Sequence, residues 1–92
     1  MIVYTEHLEL RLKLRQIPYG LPKKLYLTAY ERYFDRDTQL LIAVKEVKYK
    51  NKQREFALIY KRKINEVILI TLHPLKPYQK LGRIKSGRWQ KV

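Results

Sequence analysis

The stretch from Gln53 to Lys76 constrains the fold most, because it reads as a β-hairpin. Phe56, Leu58 and Tyr60 alternate with Ala57, Ile59 and Lys61. A polar break follows at Lys63–Glu66, and a second apolar run from Val67 to Leu72 ends near Pro74. Period-two alternation, β-branched residues and a short polar turn are the marks of paired strands. Side chains alternate between the faces of a strand. The spacing therefore predicts that Phe56, Leu58 and Tyr60 share a face with Ile68, Ile70 and Leu72. Ala57, Ile59, Lys61, Leu69, Thr71 and His73 fall on the other. The first face is almost wholly apolar; the second carries Lys61 and His73 at its ends.

The rest of the chain supplies partners for this hairpin. Gln39–Tyr49 reads as a long strand, with Leu40, Ile42 and Val44 on one side and Leu41, Ala43, Lys45, Val47 and Tyr49 on the other. Glu31–Asp35 reads as a short aromatic edge strand, followed by a turn at 35–38. Leu21–Tyr30 has helical spacing, with Pro22 near its start. Residues 6–17 are balanced: the alternating leucines suit a strand, but Leu, Glu, Lys and Arg favour a helix. Thr5 is placed to cap such a helix, and Pro18 to end it. On a helix, His7, Arg11 and Arg15 fall in one row. Past Pro77, Tyr78–Ile84 suits a turn or two of helix, and Trp89 is expected to pack back on the domain.

The expected architecture is a single α+β domain over residues 1–92. Two N-terminal helices pack on a four-stranded antiparallel sheet, with a core at about 4–76 and a basic tail at 77–92. The helices would cover the face bearing Leu40, Ile42, Val44, Phe56, Leu58 and Tyr60. The other face would stay open to solvent.

Charge speaks most directly to function. The 92 residues hold 21 Lys and Arg against 8 Asp and Glu, a net charge of +13. The last acidic residue is Glu66, and six cations follow it unopposed. Such a balance favours a polyanionic partner: RNA, DNA or an acidic protein. There is no cysteine, so disulfides and thiolate metal sites are excluded, and two histidines are too few for a zinc site. No run approaches the ~20 apolar residues of a membrane span, and the N-terminus lacks the pattern of a signal peptide. The expected address is the cytoplasm, with no membrane partner. No metal or cofactor is expected.

In the expected register the open face collects Lys45, Tyr49, Lys61, Thr71 and His73. Those side chains suit a phosphodiester: cations neutralise phosphate, and tyrosine stacks on a base. They also suit metal-independent RNA cleavage, in which a base takes the 2′-hydroxyl proton and a cation stabilises the phosphorane. His73, Lys61 and Lys45 are the catalytic candidates. His7, Arg11, Arg15, Tyr49, Arg54, Arg62, Arg83 and Arg88 are the candidate nucleic-acid contacts. Arg54 and Arg62 sit with the helix-facing set, and a one-residue slip would reverse that. Each residue also has a plain structural reading. His73 would be a hydrogen-bonder at a strand end, His7 a packing residue at a helix start, Lys45 and Lys61 solvated guards of a sheet face, and the tail a basic surface arm.

Tyr4-Thr5-x-His7-x3-Arg11-x3-Arg15-x-Ile17-Pro18 resembles the opening of small RelE/ParE-superfamily domains, the BrnT-related ones among them. Arg32–Asp35, Val44–Val47 and the strand ending in His73-Pro74 are similar to their usual layout, so the likeness covers roughly 4–76. The resemblance implies helix for residues 6–17 and a concave sheet face as the working surface. It implies the toxin of a toxin–antitoxin pair, an mRNA endoribonuclease acting without metal on RNA that includes ribosome-bound mRNA. It also implies inhibition by a cognate antitoxin protein. A non-catalytic nucleic-acid-binding domain, and a degenerate toxin fold used for protein interaction, are the alternatives.

Overall fold

The computed structural model describes all 92 residues. In chain order the elements are β1 (Ile2–Tyr4), α1 (Glu6–Leu14), α2 (Leu21–Thr28), β2 (Glu31–Asp35), β3 (Leu40–Tyr49), β4 (Lys52–Lys63), β5 (Glu66–Pro74), α3 (Gln79–Lys85) and β6 (Trp89–Lys91). The expected hairpin is β4–β5. It sits inside one six-stranded sheet of order β1-β5-β4-β3-β2-β6. All neighbours are antiparallel except β1, which runs parallel to β5 and pairs Ile2 with Val67 and Tyr4 with Leu69.

This corrects the expected two helices on a four-stranded antiparallel sheet. There are three helices, and the sheet is mixed and two strands wider. Both added strands are three residues long, too short to show a period-two pattern. The residues after Pro77 are not a free tail: they form α3, and β6 pairs with β2 at the edge of the sheet. No helix is long and apolar enough to cross a membrane.

Residues 6–14 are helical because Thr5 starts the helix cleanly. Its Oγ1 accepts from the Leu8 N–H at 3.1 Å and donates to the Ile70 carbonyl at 2.9 Å. One hydroxyl therefore caps α1 and fastens it to β5. Glu6 and Glu9 in the first turn and Arg11 and Lys13 in the last suit the helix dipole. Leu8 and Leu12 are buried, one turn apart, while Leu10 and Leu14 stay exposed.

Two register features correct the expected faces. Ala43 pairs with Leu58 and Val44 with Ala57, so Leu41, Ala43, Val47 and Tyr49 join Phe56, Leu58 and Tyr60 against the helices. Ile42 and Val44 lie on the opposite side. In β5, Ile59 pairs with Thr71 but Tyr60 with Leu69, leaving Ile70 as an extra residue in a bulge. Leu69 and Leu72 therefore both face the helices, in place of the expected row of Ile68, Ile70 and Leu72. A bulge changes side-chain parity along its strand.

The second face is not left open. Tyr33, Ile42, Val44, Ala57, Leu75 and Trp89 form a second core with Ile59 packed on it. Trp89 does pack back: it is 2% exposed and stacks on Tyr33 with centroids 5.5 Å apart. Its indole N–H donates to Asp35 at 3.3 Å. Arg88 donates to both Asp35 oxygens at 3.0 and 3.1 Å, and the Asp37 and Thr38 N–H groups point at Oδ1. Lys80 of α3 adds a clamp, reaching Glu31 at 2.9 Å and Glu55 at 2.7 Å.

Burial alone would raise the Asp35 carboxyl, but the Arg88 hydrogen bonds and the two backbone N–H groups outweigh it and hold it below the ordinary 3.8. Its contribution to stability is therefore complete above that value and is lost as pH falls through the lower folded value. Asp35→Asn should cost about 2 kcal/mol at neutral pH, the usual scale for charged hydrogen bonds. Urea unfolding across pH should show that the gap between the two proteins narrows in acid.

Candidate nucleic-acid interface

The site is assembled where β5 ends. Since β1 stops at Tyr4, opposite Leu69, the last residues of β5 lack a strand on that edge. There α1 lies beside them, tied by Thr5 to Leu69 and Ile70. His73 pairs with Ala57 on the face of the second core and is half-buried. Burial pushes its imidazole below the ordinary 6.5, and the positive charges of Arg83, Arg11 and Arg15 push it the same way. A depressed histidine contributes stability at pH above 6.5 and loses it as pH falls from there toward the folded value.

Each arginine is held by a different device. Arg11 lies in the last turn of α1, four residues after His7, and Arg15 is the C-cap residue four further on. These three and the exposed Leu10 and Leu14 line a hollow of about 230 Å³. The Arg15 backbone is fixed by the Tyr49 hydroxyl, which donates to its carbonyl at 3.0 Å. Arg83 comes from α3, with its guanidinium over the Trp89 ring at 5.3 Å. The structure's salt bridges involve Lys80 and Arg88 alone. Arg11, Arg15 and Arg83 therefore carry charge with no carboxylate to answer it.

The remaining candidates are dispersed. Lys61 shares the His73 face but pairs with Ile68, four positions along β4 from Ala57, roughly 13 Å away at strand rise. Lys45 lies on the helix side and donates to Thr28 Oγ1 at 2.6 Å. Tyr49 is also on that side, edge-on to Phe56 at 5.3 Å. Both were expected on the open face, and the β3 register removes them from it. Arg54 donates to the Leu75 carbonyl at 3.4 Å. Arg62 pairs with Val67 near the hairpin turn, at the far end of the strands from His73. Arg88 is taken up by Asp35. Arg32 is likewise committed, bonding to the Ala29 and Tyr26 carbonyls and the Tyr60 hydroxyl. No group of three or more His, Cys, Asp or Glu side chains converges on a point.

Three guanidinium groups without a carboxylate partner, whose charge is felt at a half-buried imidazole, suit one ligand chemistry, a phosphate or its ester. The signals legible in sequence were the α1 row and the His73-Pro74 strand end. Their meeting with Arg83 depends on the Trp89 packing, which joins segments far apart in the chain.

Comparison of the chain with protein families, curated proteins and solved structures finds no match.

Inorganic phosphate should bind here. At ten times its dissociation constant it should raise the melting temperature by about 7 °C. Arg11→Gln or Arg83→Gln should abolish the rise, and Lys45→Gln should not. An equal rise in all four proteins, measured by thermal shift at constant ionic strength, would argue for general salt effects.

Proposed function

We propose that this protein binds RNA beside His73, between the arginines of the α1 hollow and Arg83, and cleaves it through side chains alone, as a RelE-like toxin acting on mRNA. The observation that carries the reading is His73, half-buried at the end of β5 that lacks a neighbouring strand, its imidazole lowered by burial and by the positive charges of Arg83, Arg11 and Arg15. The resemblance of Tyr4–Pro18 to RelE/ParE-superfamily domains supports it, because three residues of that pattern, His7, Arg11 and Arg15, line one hollow.

The chemistry follows from those positions. A phosphodiester seated among the guanidinium groups has its negative charge neutralised before reaction. The neutral imidazole of His73 accepts the 2′-hydroxyl proton, and the 2′-oxygen attacks the adjacent phosphorus. Arg11, Arg15 and Arg83 stabilise the extra charge of the phosphorane. The bond to the 5′-oxygen then breaks, and that oxygen takes a proton from solvent. The products are a 2′,3′-cyclic phosphate and a new 5′-hydroxyl end. A free toxin of this kind needs an antitoxin protein, and the unpaired cations of α1 suit an acidic segment.

Binding without turnover is the second reading. What favours it is that Lys45 and Lys61, the cations first expected beside His73, are elsewhere. The +13 charge serves binding alone equally well.

Induced expression in a bacterial host, followed by primer extension on total mRNA, separates the two. Cleavage predicts growth arrest and new 5′ ends inside messages. His73→Ala should reduce cleavage ~100-fold or more, the usual contribution of a general base, while the protein still binds RNA. Intact messages with soluble wild-type protein would leave binding alone, and undiminished cleavage by folded His73→Ala would remove His73 from the mechanism.

A further inference from the structure

A second basic surface begins two residues beyond His73. It is a shallow groove of about 730 Å³ between the start of β4 and the link from β5 to α3. Its cations are Lys52, Arg54, Lys76 and Lys80, and Tyr78 stands at its margin. The one carboxylate in its lining is Glu55, which Lys80 neutralises at 2.7 Å. Lys52, Arg54 and Lys76 have no acidic partner.

Tyr78 is the unexpected part. Its ring is 82% exposed, and none of the aromatic pairs in the structure includes it. It occupies the N-cap of α3 at φ 65° without a capping hydrogen bond from its side chain. A bulky residue there is strained, and glycine or asparagine would fit more easily. Neither packing, capping nor backbone preference explains a tyrosine at this position.

We infer that this groove carries single-stranded RNA to or from the His73 site, with Tyr78 as the platform on which one unpaired base stacks. Unpaired cations along a groove with an exposed ring at its edge form the usual surface for single strands, since every base has a π-face and the backbone needs only charge. The two surfaces are close enough to share one strand. Leu75 lines the groove two residues beyond His73, about 7 Å along the chain, roughly the rise of two stacked nucleotides. An acidic peptide would use the cations but not a solvent-facing ring. Duplex RNA would use the cations, but its bases are already stacked.

The inference rests on RNA being the ligand of the His73 site, not on cleavage. A labelled 2′-O-methyl RNA strand is the probe, because it lacks the attacking hydroxyl and stays intact. Fluorescence anisotropy should show Tyr78→Gly, which relieves the backbone strain, weakening this strand at least tenfold. Binding of the same sequence as a blunt duplex should change little, and Tyr78→Phe should bind the strand as wild type does. Equal single-strand affinity of wild type and Tyr78→Gly would overturn the inference. So would an equal loss in Tyr78→Phe, or wild-type protein that binds no single strand. Messages left uncut by a protein that binds through Tyr78 would remove the cleavage reading and leave the groove standing.

Discussion

Asp35 is the anchor on which the arrangement depends. It is 2% exposed, and its two oxygens receive the Arg88 guanidinium, the Trp89 indole and two backbone N–H groups. Removing one partner of such a buried charge costs more than the bond alone is worth, because the other is left unpaired. Through this residue the last strand is fixed to β2, Trp89 is laid on Tyr33, and Arg83 is laid on Trp89. Arg83 thereby reaches the surroundings of His73, ten residues upstream in the chain. Folding of the tail and assembly of the site are one event.

The distribution of charge explains what that event produces. The few carboxylates near the tail are spent on structure: Asp35 on Arg88, and Glu31 and Glu55 on Lys80. Glu31 also accepts from the Tyr33 hydroxyl at 2.6 Å, and burial followed by that bond pushes the Tyr33 phenol up to about 12. The cations around His73 and along the Tyr78 groove have no such partner. Clustered like charges repel, and an anionic ligand relieves that repulsion where it binds. A small domain has a thin margin of stability, so uncompensated charge of this kind is better understood as a binding device than as packing.

Much of this was legible in residues 21–76, where patterns are long. The hairpin and the strand at 39–49 follow from alternation, and the second helix from its spacing and Pro22. The first helix was not decided by its pattern, since its leucines alternate as a strand's do; the resemblance of Tyr4–Pro18 to RelE/ParE-superfamily domains implied it, and the helix ends at Leu14, before Pro18. What was not legible is parity. Whether Ala43 or Val44 faces the helices turns on a one-residue register choice at the Lys50–Asn51 turn. The Ile70 bulge then resets parity in β5. Those two steps moved Lys45 and Tyr49 off the expected face and left His73 on it. β1 and β6 escaped notice because three residues carry no period, and their places in the sheet are set by long-range pairing. His73, Arg11 and Arg15 were recognisable as residue types, whereas their convergence with Arg83 required the tertiary fold.

The His73 imidazole is held below its ordinary value by burial and by the charges of Arg83, Arg11 and Arg15, and a bound phosphate offsets part of that charge. Titration of the imidazole by NMR tests it directly. The value should lie below 6.5 in the free protein, rise on Arg83→Gln and rise again with saturating phosphate. A value at or above 6.5, unmoved by the substitution and by phosphate, would contradict it.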